Sequence, residues 1–108
     1  LSPPAARFTR EALSDLRQAV TWIAREDPVT ADRLRVAAGQ AARRIGEHPL
    51  CGAVRPGFAP ERFRFLPLGR FPYLVVYETG TRPPRILRVM HAARDLATLL
   101  AELRGERP

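Results

Sequence analysis

Phe71-Pro72-Tyr73-Leu74-Val75-Val76-Tyr77-Glu78, a break across Thr79 to Pro84, then Arg85-Ile86-Leu87-Arg88-Val89-Met90-His91-Ala92-Ala93-Arg94-Asp95: this stretch decides the fold. The first run is β-branched and aromatic, with no polar interruption before Glu78, the pattern of a strand buried on both faces. The second carries Ile86, Leu87, Val89 and Met90, with Arg88 as its one clear outward position. Gly80 supplies the turn, and Pro83 and Pro84 forbid helix across it. An antiparallel hairpin at the centre of a small sheet is therefore expected. Past Met90 the strand ends in polar residues, a place for functional groups to gather.

Immediately upstream, Glu61 to Leu66 alternates, with Phe63 and Phe65 facing in and Arg62 and Arg64 facing out, as a half-buried strand does. Pro67 to Arg70, with Gly69, turns the chain into the central strand. Leu50 to Pro60 holds Gly52, Pro56, Gly57 and Pro60 and reads as loop. Before it, helix is predicted twice. Thr9 is placed to cap the first, with Glu11 in its opening turn, and Leu13, Leu16, Val20 and Ile23 form one stripe to about Glu26. Trp22 falls at the margin of that stripe. Asp27-Pro28 opens the second helix, which runs to about His48 and buries Ala31, Leu34, Ala38, Ala41 and Ile45. Its small residues allow close approach of the two helices, and Arg33, Arg35, Arg43 and Arg44 line its outer face. Ala5 to Phe8 is a candidate edge strand. Leu96, Leu99, Leu100 and Leu103 predict a last short helix ending near Gly105, with Glu106-Arg107-Pro108 frayed.

The order strand, helix, helix, strand, strand, strand, helix describes an α+β domain. We expect a small antiparallel sheet of three to four strands, an N-terminal helical hairpin packed on one face, and a short C-terminal helix. At 108 residues, with 45% hydrophobic and 27% charged, residues 1–108 suit one globular domain with a real core. Formal net charge is +7, and all 18 basic residues are arginine, which GC-rich codon usage is enough to explain. Arginine still equips the surface for bidentate contacts to carboxylate or phosphate, so nucleic acid and acidic polypeptides are the partners to consider. Cys51 is the one cysteine, so no internal disulfide is available, and it reads as a packing residue. No apolar run is long enough to span a bilayer and the first residues lack a signal-peptide core, so no membrane association and a cytoplasmic location are expected. No Cys/His cluster has metal-ligand spacing, no glycine-rich phosphate loop appears, and neither metal nor cofactor is expected.

Arg7-Phe8-Thr9-Arg10-Glu11-Ala12-Leu13-Ser14-Asp15-Leu16, then Ile45 through His48-Pro49 and Gly52, then Pro72 to Tyr77, and above all Ile86 to Asp95, follow one another as in a known family. In order and spacing the chain resembles the RelE/ParE superfamily of bacterial toxins from type II toxin–antitoxin systems. That resemblance implies one of two activities. RelE-like members cut messenger RNA on the ribosome with basic residues plus a tyrosine or histidine. ParE-like members are linked to poisoning of DNA gyrase. Both are silenced by a cognate antitoxin with an acidic segment, ParD-like in the second branch, giving a hetero-oligomer. An arginine that commonly follows the central-strand tyrosine in the RNase branch is Leu74 here, and Ala92 and Ala93 occupy positions where another is common. The likeness therefore leans to ParE, with the ribosome-dependent endoribonuclease as the alternative.

Site residues follow from that choice. For an RNase, His91 is the acid or base and Arg94 stabilises the transition state, because cleavage by the 2′-hydroxyl needs proton transfer and cations. The competing reading has His91 pinning the strand end and Arg94 paired with Asp95. Arg62, Arg64, Arg88 and Arg94 are the candidate contacts to target or phosphate. Arg33, Arg35, Tyr73 and Tyr77 are the candidate contacts to the antitoxin. A generic nucleic-acid-binding module, with steep salt dependence, is a third possibility.

Overall fold

The computed structural model describes residues 3–105, without the side chains of Leu96 and Leu100. The expectation for Glu106-Arg107-Pro108 lies outside those residues. Along the chain run β1 (Arg7–Phe8), α1 (Arg10–Ala24), α2 (Pro28–Glu47), β2 (Phe63–Pro67), β3 (Tyr73–Glu78), β4 (Arg85–His91) and α3 (Leu96–Leu103). The strands form one sheet in the order β1-β4-β3-β2.

β3 is the central strand, and its alternation sorts two cores. Tyr73, Val75 and Tyr77 face the helical hairpin, joining Leu34, Ala38 and Ile45. Leu74 and Val76 face the other way, onto Phe63, Phe65, Met90 and Leu99, where α3 covers the sheet. β2 and β4 flank β3 antiparallel. β1 instead pairs parallel with β4, so the sheet is mixed rather than wholly antiparallel. The chain reaches β4 from β1 only after both helices, β2 and β3, a long crossover of the kind that parallel pairing requires. Gly80 does not take the left-handed backbone in the β3–β4 turn; among the described residues positive φ occurs at Gly69 and Gly105. Thr81 Oγ1 instead donates to the Pro83 carbonyl there at 2.9 Å.

Both helix starts are built as the sequence predicts. Thr9 Oγ1 accepts from the Ala12 amide at 3.1 Å, and Asp27 accepts from the Thr30 amide at 3.0 Å with Pro28 in the first turn. The Thr30 hydrogen bonds are the main cause holding the Asp27 carboxyl below its usual range. The buried side of α2 is the one expected, extended by Ala42 and Gly46. A Cβ at Gly46 would overlap the Pro4 carbonyl, so glycine is what lets the N-terminal segment cross the helix end. α1 is rotated from the expected stripe: Ala12, Ala19 and Val20 are its buried residues, while Leu13 is 37% exposed. The alanines bring α1 against β4, and a leucine in that seam would hold it off. Trp22 stands 62% exposed, with the Arg25 guanidinium 5.0 Å from its ring centre.

Candidate functional site: the groove beside the last strand

β1 covers only the first two residues of β4, Arg85 and Ile86. Beyond them the outer edge of β4 lies open to side chains, and the start of α1 takes it over. The Thr9 amide donates to the Ile86 carbonyl at 2.9 Å, and Thr9 Oγ1 donates to the Leu87 carbonyl at 3.1 Å. The ladder shifts register at Val76/Tyr77, which pair with Arg88 and Ile86 and leave Leu87 as the extra residue. Such a bulge re-aims the side chains around it. Arg88 is thereby placed to reach sideways to both α1 and α3.

The two outward amides of this edge end on carboxylates. Val89 N–H donates to Asp15 Oδ2 at 3.0 Å, and His91 N–H donates to Asp95 Oδ2 at 3.1 Å. An exposed strand edge invites pairing with other chains, and acidic side chains on its amides close it. Asp15 also receives Arg88 through two bonds, from Nε at 2.8 Å and Nη2 at 3.1 Å. Arg88 Nη1 donates to Glu102 at 2.6 Å. One guanidinium thus ties α1, β4 and α3 together. Its pKa is raised further above the arginine range, chiefly by the bond to Asp15.

Between these elements lies a groove of about 430 Å³. Trp22 and Tyr73 supply aromatic walls, Arg88 and Arg94 the cations, and Asp15, Asp95 and Glu102 the carboxylates. Arg94 pairs with Asp95 at 3.1 Å, and that bond is the main cause holding the Asp95 carboxyl below its usual value. His91 does not line the groove but contacts two residues that do, Arg94 and Tyr73. Its Nδ1 accepts from the Arg94 amide at 3.1 Å, and its ring meets Tyr73 edge-on at 5.4 Å.

Of the residues singled out from sequence, Tyr73, Arg88, His91 and Arg94 gather here. The others do not. Tyr77 is fully buried: its hydroxyl donates to the Pro49 carbonyl at 2.7 Å and accepts from the Gly52 amide at 2.8 Å. It is a core anchor for the loop after α2, and burial is the main cause pushing its pKa up to about 12. Arg64 holds the same loop, donating to the carbonyls of Gly52 at 2.7 Å and Leu50 at 3.2 Å. Arg62 lies over the Phe63 ring at 4.5 Å on the α3 side of the sheet. Arg33 and Arg35 are exposed on α2, with Arg35 3.6 Å from Asp32. The sequence reading missed Asp15, Trp22 and Glu102. Asp15 gave little signal, because it lies about 100° around the helix from Leu16, beside the expected apolar stripe and not within it.

A second groove lies on the outside of the hairpin, lined by Leu13, Leu16 and Val20 with Arg17 and Arg35 at its rim. Among the described residues no group of three or more His, Cys, Asp or Glu could hold a metal ion. No helix among them is long and apolar enough to cross a membrane.

Known proteins share this architecture. A solved structure described as "Chromosomal ParDE TA system from P. aeruginosa" superposes with a TM-score of 0.68 at 23% identity, covering 81% of this chain and 94% of that one. A protein of Sinorhizobium fredii (strain NBRC 101917 / NGR234) named "Putative toxin Y4kP" is 35% identical over 100 residues, spanning 93% of this chain and 100% of that protein. Residues 6–96 match the family model described as the ParE toxin of the type II toxin-antitoxin system parDE. The chain therefore belongs to the ParE toxins of type II toxin–antitoxin systems.

Proposed function

We propose that this ParE-family toxin arrests growth by binding a cellular target, DNA gyrase being the candidate, and that a cognate acidic ParD-like antitoxin neutralises it. The observation carrying the binding reading is the state of the groove beside β4. RNA cleavage needs a proton-transfer group and cations able to meet the phosphorane. Here Arg88 is held by Asp15 and Glu102, Arg94 by Asp95, and His91 Nδ1 accepts from a backbone amide. These side chains organise the strand end instead of standing ready for a substrate. Support for an acidic partner comes from the net charge of +7 and from the hairpin groove, whose leucines and valine suit the apolar side of an amphipathic segment. Arg17 and Arg35 at its rim suit that segment's carboxylates, and such a segment orders as it binds.

The test is tightly controlled expression of the full chain, with an acidic reading frame adjoining the gene co-expressed in a parallel strain. Growth arrest with induction of the DNA-damage response, recovery of gyrase in a pull-down, and rescue by the second protein are expected, all unchanged in His91→Ala. Arrest through translation with cleaved message, lost in folded His91→Ala, would replace this reading with the endoribonuclease.

A further inference from the structure

A further arginine-bearing surface lies on the side of the sheet that α3 covers. From residue 48 to residue 60 the chain carries no Asp or Glu. That loop folds back over the sheet, burying Ala59 against Phe63 and Phe65. Phe58 is left 55% exposed at its turn. The turn is held in place by the Phe58 amide donating to the Arg55 carbonyl at 2.9 Å, and by Arg104 Nε donating to the Phe58 carbonyl at 2.7 Å. Arg55 sits over the Phe65 ring at 5.4 Å and Arg62 over the Phe63 ring at 4.5 Å. Among the described residues neither guanidinium has a carboxylate partner. Arg62, Arg85 and Arg104 line one broad, open groove of about 620 Å³. Its carboxylates are Glu78, 3.7 Å from Arg85, and Glu102, bound to Arg88, with Glu61 exposed nearby in sequence.

We infer that this face binds single-stranded nucleic acid. Guanidiniums seated on aromatic rings keep their N–H donors available for phosphate oxygens, which they meet bidentately. An exposed phenyl ring among them offers a base its stacking partner, the combination that sequence-tolerant single-strand sites use. An acidic polypeptide is the weaker fit. The surface is wide and shallow, whereas the apolar floor such a partner needs lies in the hairpin groove on the opposite side of the molecule. The inference does not depend on which cellular target the toxin has.

Fluorescence anisotropy of a labelled 20-nucleotide oligothymidylate with the purified full chain tests it. Binding is expected to weaken as salt rises, and Phe58→Ala is expected to weaken it roughly tenfold through loss of one stacked base. Phe58→Leu should lose as much and Phe58→Trp should not, which separates stacking from packing. Arg62→Ala should lower the slope of log affinity on log salt by about 0.7, one phosphate contact on a single strand. Arg33→Ala, on the hairpin, should leave that slope alone. The inference fails if the oligonucleotide does not bind, or if Phe58→Ala, Phe58→Leu and Arg62→Ala all bind as wild type does. It also fails if poly-glutamate displaces the strand and itself depends on Phe58 and Arg62, which would make the face a protein-binding one.

Discussion

Tyr73 and Tyr77 lie four residues apart on one face of β3, yet the two ends of the strand are held differently. At the Tyr77 end a buried hydroxyl and the Arg64 guanidinium bind the backbone of Pro49, Leu50 and Gly52 directly. A Cβ at Gly52 would come within 2.7 Å of the Tyr77 ring, so the loop is fitted to the phenol. At the Tyr73 end the strand is fastened by side-chain ion pairs, with Asp15, Arg88, Glu102, Arg94 and Asp95 sharing a partly exposed groove. Buried hydrogen bonds are costly to break because the groups left behind have no water, while exposed pairs exchange with solvent cheaply. The molecule therefore has one end set by burial and one set by charge, and its open groove is at the second.

Removing the Tyr77 hydroxyl is the hardest blow to this contrast. Tyr77→Phe leaves the Pro49 carbonyl and Gly52 amide unpaired and should cost about 2–4 kcal/mol in urea unfolding. The same residue predicts an alkaline limit. Its folded pKa, about 12, exceeds the ordinary value of 10.0, so its contribution is complete below pH 10 and lost as pH rises through 12. That loss amounts to about 2–3 kcal/mol, and the curve for Tyr77→Phe should be flatter over the same window. Equal slopes would place the phenol outside the core.

The charged end should respond more weakly. Asp15→Ala strands the Val89 amide and leaves Arg88 only Glu102, and the partial exposure of both side chains limits the cost to about 1–3 kcal/mol. Its salt dependence is the sharper reading: stability of the wild type should fall with added salt more than that of Asp15→Ala. Asp95→Asn should cost less than about 1 kcal/mol at neutral pH. Because the folded Asp95 pKa is lowered, its contribution is present above pH about 4 and lost as pH falls through the folded value, so wild type and variant should converge in acid. A large Asp95→Asn effect with a small Tyr77→Phe effect would reverse the comparison.

How far the amino-acid sequence reaches can be seen at particular residues. The uninterrupted run from Tyr73 to Tyr77 marks the central strand, Thr9 and Asp27-Pro28 mark the helix starts, and Leu34, Ala38 and Ile45 mark the buried side of α2. Each depends on residues within a turn or two of one another, so periodicity and capping suffice. The direction of β1, the exposure of Leu13 and Trp22, and the separate fates of Arg62, Arg64 and Arg88 were settled only by the tertiary structure. Arg88 meets Asp15 across 73 positions of sequence, and Arg64 meets the Gly52 carbonyl across 12. A guanidinium looks the same in sequence whether a distant carboxylate, a loop carbonyl or solvent receives it. Folding chooses among these by bringing together groups that no local pattern connects.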